Sequence, residues 1–397
     1  MSKQNGTELL QAAILGTVVA DASGMGLHWI YSQGKIAQIV KAAGGTAEFF
    51  EPHADNYQGV PAFFAHPQRH AGDSSNYGEY LYVLLRAVGE QGFDRGAYVR
   101  AFGEHFGVGG TYVGYADTPM RETVFNMTRL GKDIEQRILS TKTSLDENQQ
   151  KAAAHYIARY FLEFDTDGLK ETVRTPLKLQ EWKAEQLNEV DRIIDVVSSE
   201  LGALGPDDDQ MPALSRSAVL AHFAAEEKLD RLVEQAVRIT NDNDEAVAYS
   251  CFFAHIMRDI YETGRPNPEA AQDTLRKLVD RHAHRLSSHA QELVSQAMAY
   301  ETLDYRGATK HFGAACHVDM AVPLVLHILL NTTSFREANR INILASGDNC
   351  GRAVMLGAVA GALYGIGGEH GIPQEWIERT SIVKRLRETD GARLLLG

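Results

Sequence analysis

Gly357, Gly361 and Gly365 recur at every fourth position of the apolar stretch Ala345–Gly365, ASGDNCGRAVMLGAVAGALYG. Residues four apart stack on one face of a helix, so this segment presents a stripe without side chains. Another helix or a ligand must approach its backbone closely, which puts the helix at the centre of whatever the chain builds. The rest of the sequence supplies the helices to surround it.

Leu10, Ile14 and Val18 share one helix face, with Thr7 placed to cap its start, and Asp21 falls three residues further along the same face. Leu81, Leu84, Leu85 and Val88 make a second face, and Tyr98, Phe102 and Phe106 a third. The spacing predicts further helices over about 119–132, 145–163, 180–203, 214–224, 228–240, 244–262, 268–283, 287–301, 318–331, 334–343 and 349–365. No alternating pattern is long enough for a sheet, so the expected class is all-α, a multi-helix fold in one domain over 1–397. Between Gly24 and Gly72 the periodicity fades into Gly, Pro, aromatic residues and the histidines His53, His66 and His70, which predicts a long loop of the kind that carries function. The polar segments Asp165–Thr175 and Leu204–Asp209 read as joints, bounding an insertion over about 165–210.

Composition narrows the function. With 39 Lys+Arg against 52 Asp+Glu the formal net charge is -13, which repels phosphate backbones and anionic lipid, so neither nucleic acid nor a membrane is an expected partner. A small molecule is, and the oligomeric state is left open. Three widely spaced cysteines, Cys251, Cys316 and Cys350, offer no disulfide framework and fit a reducing cytoplasm. The apolar run Ala12–Ala20 follows a single Lys3 and ends at Asp21, which does not match a secretory signal, and no run reaches the roughly 18 apolar residues of a membrane span.

Two segments concentrate reactive groups. Asp348 precedes the glycine-striped helix, where it either caps exposed N–H groups or faces a ligand. Cys350 lies in the same first turn, either as a thiolate favoured by the helix terminus or as an inert buried thiol. Asp73, Ser74, Ser75, Asn76, Tyr77 and Glu79 gather where the long loop meets a helix, as a site or as a well-capped helix start. Asp21 is either hydrogen-bonded to nearby backbone or a carboxylate at a pocket floor. Asp117-Thr118-Pro119 reads as a capped helix start that Gly107, Gly109 and Gly110 let approach the same pocket. His282, His284 and His289 read as an exposed basic face, and Ala315–Asp319 as a helix entrance or pocket wall.

Three segments in order resemble the ADP-ribosylglycohydrolase superfamily, also labelled ADP-ribosylation/crystallin J1. ILGTVVADASGMGLHWIY is similar to the family's Gly-Asp-Ala-x-Gly-x-Pro-x-Glu-Phe signature through Asp21, Ala22 and Gly24. RITNDNDEAVAYSCFFAHI resembles the Ile-Thr-His-x-Asp helix start, with Asn241 at the His position. FREANRINILASGDNCGRAVMLGAVAGALYGIGGEHGIPQEWIER resembles the late Gly-Gly-Asp-x-Asp-Thr helix and the Gly-Ala-Leu-x-Gly and Ile-Pro-x-x-Trp elements after it. The resemblance implies a compact helical fold with a central pocket, and in the family two magnesium ions between an early Thr-Asp-Asp-Thr and the late Asp-x-Asp-Thr.

Those ligand positions have changed. The early motif reads Ser75-Asn76-Tyr77-Gly78, with Glu79 two residues out of register; Cys350 and Gly351 replace the late Asp and Thr; His28 stands at the signature Glu. Of the metal ligands only Asp348 is retained, and Mg²⁺, which prefers hard oxygens, is implied by resemblance alone. A thiol beside an imidazole also raises Zn²⁺ as an alternative. The expectation is a hydrolase cleaving a glycosidic or C–N bond of a small polar substrate without the full binuclear centre. His28, Glu79 and Asp348 are its catalytic candidates, with Asp21, Ser75, Asn76, Tyr77, Asp117, Asn349, Cys350 and Arg352 binding substrate. The alternatives are a non-catalytic binder or crystallin-like structural protein, and an orthodox magnesium-dependent ADP-ribosyl hydrolase.

Overall fold

In the computed structural model the described residues are 3–89, 92–201, 204–300, 304–389 and 391. Among them nineteen α-helices follow one another: α1 (Lys3–Gly24), α2 (Gln33–Ala42), α3 (Asn76–Ala87), α4 (Arg95–Phe106), α5 (Thr118–Ser140), α6 (Glu147–Tyr160), α7 (Thr166–Lys178), α8 (Ala184–Leu201), α9 (Ser217–Phe223), α10 (Glu226–Val237), α11 (Asp244–Thr263), α12 (Ala271–His282), α13 (Ser288–Ala299), α14 (Tyr305–Phe312), α15 (Val318–Leu330), α16 (Phe335–Leu344), α17 (Asn349–Tyr364), α18 (Gln374–Arg379) and α19 (Ile382–Arg387). The only described strands, Val88–Gly89 and Gly92–Phe93, pair as a two-residue antiparallel ladder. The class is all-α, as the periodicity predicts.

The glycine stripe of α17 meets α1. A Cβ built on Gly357 would lie 2.3 Å from the Gly16 carbonyl oxygen, one on Gly361 2.2 Å from that of Ala12, and one on Gly16 2.1 Å from that of Gly357. Each distance is shorter than any side chain tolerates, so the two backbones touch, and they do so only because glycine stands on both sides. Gly6–Leu27 is long and apolar enough to cross a bilayer by composition, yet 94% of that window is buried in the protein. Its apolarity is that of a helix enclosed by other helices. One hydrophobic cluster extends around this pair from Leu9 to Leu386.

Several local expectations change. Helix α1 begins at Lys3, so Thr7 lies within the helix instead of capping it. The segment 24–72 contains α2, capped by Ser32 through the Lys35 N–H at 3.2 Å and held by Ile36 and Val40. Those two side chains join Leu27, Ile30, Ala47, Tyr57 and Ile343 in a second, small apolar cluster that fastens the segment to the core. The polar joint at Asp165–Thr175 is helical: Asp165 caps α7 through the Gly168 N–H at 2.9 Å, and Leu169, Val173 and Leu177 are buried at four-residue spacing. His282 is not on an exposed face; it is buried against Asp259 at 2.8 Å.

Candidate functional site

Three chain segments are sewn together where α1 ends and α17 begins. Ile30 bridges both Ala62 and Gly347; the Trp29 N–H donates to the Gly347 carbonyl at 2.9 Å and the Phe63 N–H to that of Trp29 at 3.0 Å. Trp29 and Ser346 both adopt positive φ, 63° and 72°, a conformation that costs a side-chain-bearing residue about 1 kcal/mol or more. The strained pair flanks His28 on one strand of this junction and Asp348 on the other. The backbone is held against its preference so that the two side chains meet.

They do meet. His28 Nε2 lies 2.7 Å from Asp348 Oδ1, and His28 Nδ1 lies 2.8 Å from His66 Nε2. Asp348 also caps α17 by accepting the Gly351 N–H on Oδ1 at 2.9 Å, and its Oδ2 accepts the Tyr77 hydroxyl at 2.8 Å. All four side chains are buried. Burial alone would raise the Asp348 carboxyl, but the His28 hydrogen bond and charge, the Gly351 N–H and the Tyr77 hydroxyl hold it below the ordinary carboxylate range. Burial pushes the His66 imidazole well down, with the neighbouring His28 and Arg69 charges acting in the same direction, so it is neutral near pH 7.

Behind this chain of three lies a second polar layer. Asp21 accepts the Ser75 N–H at 2.9 Å and the Ser75 hydroxyl, an arrangement across helices and not the local one a helix end would make. Its burial raises the carboxyl to about 7 despite those bonds. Gly78 makes the approach feasible, since a Cβ there would fall 2.7 Å from Asp21 Oδ2. Asp117 caps α5 through the Met120 N–H at 2.9 Å and also accepts Asn76 at 2.6 Å and the Tyr80 hydroxyl at 2.8 Å. Burial pushes it up to about 6.

The remaining candidates are committed to the protein. Glu79 lies between His105, 2.9 Å, and Arg385, 2.5 Å; burial works to raise its carboxyl, but the bonds to those two residues and the Arg385 charge hold it low, so it serves as a buried counter-charge and not as a base. Arg352 is a loop clamp: Nε donates to Asn342 Oδ1 at 2.8 Å, and its two terminal nitrogens donate to the carbonyls of Ser346, Asn342 and Ala314 at 2.5, 3.2 and 3.4 Å. A fork so engaged does not face a ligand. Asn349 donates to the Gly24 carbonyl at 2.9 Å, and Cys350 reaches the Asp21 carbonyl at 3.6 Å. Burial drives the Cys350 thiol well above its usual range, so the helix terminus does not yield a thiolate there. Asn241 donates to the Asp208 carbonyl and carboxylate at 3.0 and 3.2 Å, and His317 pairs with Asp209 at 2.7 Å.

His66 is the member that spacing analysis did not single out. It opens a turn, His66-Pro67-Gln68-Arg69, closed by the Arg69 N–H to the His66 carbonyl at 3.2 Å, with proline at the second position where its fixed φ belongs. Of the three histidines in the segment 24–72, His53 and His70 are exposed beside Asp55 and Glu51, and His66 alone is buried. A cavity of about 280 Å³ lies beside it, lined also by Ala65, Gln68, Arg69, Val113 and Tyr115. The Tyr115 ring packs against Trp29 at 4.8 Å and Phe63 at 5.5 Å, and Trp29 stacks on His28 at 4.1 Å.

The scaffold is all-helical, and the N-terminus of its late helix presents a buried aspartate to His28, just beyond α1, and to Tyr77 of α3; residues 3–395 match the ADP-ribosylglycohydrolase family, and the chain belongs to it. Among relatives, it is 25% identical over 384 residues to Crystallin J1A of Tripedalia cystophora, covering 96% of this chain and 94% of that protein. Crystallin J1B of the same organism is 22% identical over 382 residues, with the same shares covered. A solved structure described as an ADP-ribosylglycohydrolase-related protein complex matches 98% of both chains at 13% identity and a TM-score of 0.46.

The side chains at the family's ligand positions do not fit a binuclear magnesium centre. Both Asp348 oxygens already accept protein donors, Asp21 is engaged by Ser75, and Asn76 is turned to Asp117. Cys350 is a soft, protonated donor where Mg²⁺ requires oxygen. Among the described residues no group of three or more His, Cys, Asp or Glu side chains is arranged to hold a metal, zinc included.

Proposed function

We propose that the protein is a hydrolase that cleaves a glycosidic or C–N bond of a small polar substrate by acid–base chemistry of its own side chains, without the two-metal centre. The observation that carries this reading is the unbroken hydrogen-bonded series Asp348–His28–His66, ending beside a cavity. A carboxylate that orients an imidazole and stabilises its protonated form is the arrangement by which proteins move protons near neutral pH. The free cysteines support a reducing, cytoplasmic setting, and the net charge of -13 supports a small-molecule partner over nucleic acid or anionic lipid.

Turnover of a panel of small N- and O-glycosides, ADP-ribosyl compounds among them, tests the proposal in the presence of EDTA. The expected result is an activity indifferent to chelation that falls by about 10²–10⁴ in His28→Ala and Asp348→Asn, the usual contribution of acid–base catalysis. Activity that requires added Mg²⁺, or that survives both substitutions, overturns it. The similarity to Crystallin J1A along 96% of this chain favours a second reading, a structural or ligand-storing protein. That reading predicts saturable binding with no product from any compound in the panel.

A further inference from the structure

A second cavity, of about 360 Å³, opens where the turn between α6 and α7 meets the start of α4, the end of α8 and the later turns of α10, and it shares no lining residue with the cavity beside His66. We propose that it binds a small amphipathic carboxylic acid, whose carboxylate is held between Arg95 and Arg231 and whose apolar body lies on Phe161, Phe164 and Leu169. The proposal goes beyond the hydrolase reading and does not depend on it.

The walls are fixed by the way this turn is pinned. Helix α6 ends at Tyr160, whose carbonyl accepts the Glu163 N–H at 3.0 Å, and α7 begins after its cap, Asp165. Arg95, the first residue of α4, holds the turn by donating from Nη1 to the Phe164 carbonyl at 2.5 Å. Asp165 accepts the Gly168 N–H on Oδ1 at 2.9 Å, and its Oδ2 accepts the Gln235 amide of α10 at 3.3 Å. Phe161 and Leu169 are buried and Phe164 is half-buried, so the turn carries an apolar floor beneath its charged groups. Ligand sites of this size are mostly apolar, with a few placed polar groups that fix orientation.

Charge selects the head group. Of the lining arginines, Arg238 is fully matched: its Nε, Nη1 and Nη2 donate to Glu234, Asp242 and Asp244 at 2.9, 2.7 and 2.7 Å, which also commits the Glu234 carboxylate. Asp165 is then the one lining carboxylate left to serve two guanidinium groups. Arg231 stands 3.6 Å from it without a hydrogen bond, and Arg95 makes no salt bridge among the described residues, where its Nε and Nη2 also have no hydrogen-bond partner. Burial works against the Arg95 charge, and the more distant Asp165 only partly offsets it. The wall therefore carries one unmatched positive charge, in a chain whose net charge is -13. A carboxylate supplies one negative charge and two oxygens in the plane that a guanidinium fork addresses, whereas a doubly charged phosphate would overshoot and leave an uncompensated anion beside Asp165 and Glu234.

Calorimetric titration of the full chain with phenylpropionate tests the proposal, with its neutral amide and phenyl phosphate as comparators. Saturable binding of phenylpropionate is expected, at least about tenfold tighter than that of the amide, the loss of one charge-assisted contact, and tighter than that of phenyl phosphate. Arg95→Met keeps the apolar stem and removes the charge, and should weaken binding at least about tenfold. Ser198→Trp leaves both arginines and the Phe164 carbonyl bond in place and should abolish binding by filling the cavity, which separates loss of the site from a loosened turn. No saturable binding, equal affinity for the amide, tighter binding of phenyl phosphate, or full affinity in either variant overturns the proposal. Binding that survives Ser198→Trp but is lost in Arg69→Ala also overturns it, because the ligand then sits beside His66. None of these readouts needs turnover, so their failure is distinct from failure of the hydrolase reading.

Discussion

Replacing Asp21 by asparagine should make the protein more stable, and increasingly so as the pH rises. Asp21 is completely buried, and its carboxyl is raised from 3.8 to about 7, burial outweighing the bonds from Ser75. Below pH 4 the group is protonated in folded and unfolded chains alike and exerts no pH-dependent effect. Between 3.8 and 7 the unfolded chain ionises first, the folded state binds more protons, and stability falls with pH; above 7 both forms are ionised and the loss is complete. At 1.36 kcal/mol per pH unit the loss amounts to about 4 kcal/mol. The amide of the Asp21→Asn variant has no charge to desolvate and keeps a carbonyl oxygen for the Ser75 N–H. Urea unfolding of both proteins at pH 4.5, 6, 7 and 8.5 should therefore show the variant gaining on the wild type by several kcal/mol across the series. Asp117, raised to about 6, titrates in both proteins and cancels from the difference. A difference that is flat with pH, or that shrinks as pH rises, would refute the claim that Asp21 is held against its preference for the charged form.

Gly357→Val places a side chain where a Cβ already falls 2.3 Å from the Gly16 carbonyl, so α1 and α17 must separate; a loss of at least about 3 kcal/mol by urea titration is expected, and a loss under about 1 kcal/mol would contradict the backbone contact. Arg352→Met keeps the volume but leaves the carbonyls of Asn342, Ser346 and Ala314 without the donor, which should lower stability by about 3 kcal/mol and loosen the Ser346–Asp348 loop to hydrogen exchange. Burial raises all three thiols, so a disulfide reagent should modify only the half-buried Cys316 in the native protein, with Cys251 and Cys350 reacting after denaturant is added; rapid native labelling of Cys350 would restore the thiolate reading.

What the sequence made legible follows the physics of each signal. Most helices longer than ten residues announce themselves by repetition, although the 13-residue α7 read as a polar joint, and the glycine stripe of α17 announces a touching partner, though not that Gly16 of α1 would supply it. Helix α2 escaped because its ten residues bury only Ile36 and Val40. Asp348, His28, Tyr77 and Ser75 were legible as reactive types at resemblance-matched positions, but Arg352 and Glu79 were reactive types of another kind, drawn inward to saturate carbonyls and to balance charge. His66 lies in a segment without periodicity, and burial, which separates it from His53 and His70, is a tertiary property. The one local sign was its place before proline in a turn.

The substitutions at the site become intelligible when their charges are considered together. A cluster of carboxylates buried without a cation is untenable, because each repels the next and none is solvated. By the resemblance, the second late aspartate of the family pattern corresponds to Cys350, the early pair to Asn76 and Tyr77, and the signature glutamate to His28. Three anions are thereby replaced by neutral groups, and a fourth by an imidazole able to become a cation 2.7 Å from the carboxylate that is left. Asp348 instead has the His28 imidazole at 2.7 Å and the Tyr77 hydroxyl at 2.8 Å as its hydrogen-bond partners. The changes are coordinated: reverting His28 to glutamate alone would set two buried carboxylates against each other. His28→Glu should therefore fold less stably than His28→Gln by several kcal/mol at pH 8, a gap that closes at pH 4 as the new carboxyl protonates. Restoration of stability to His28→Glu by millimolar Mg²⁺ would show instead that the family's ion site persists intact behind the imidazole.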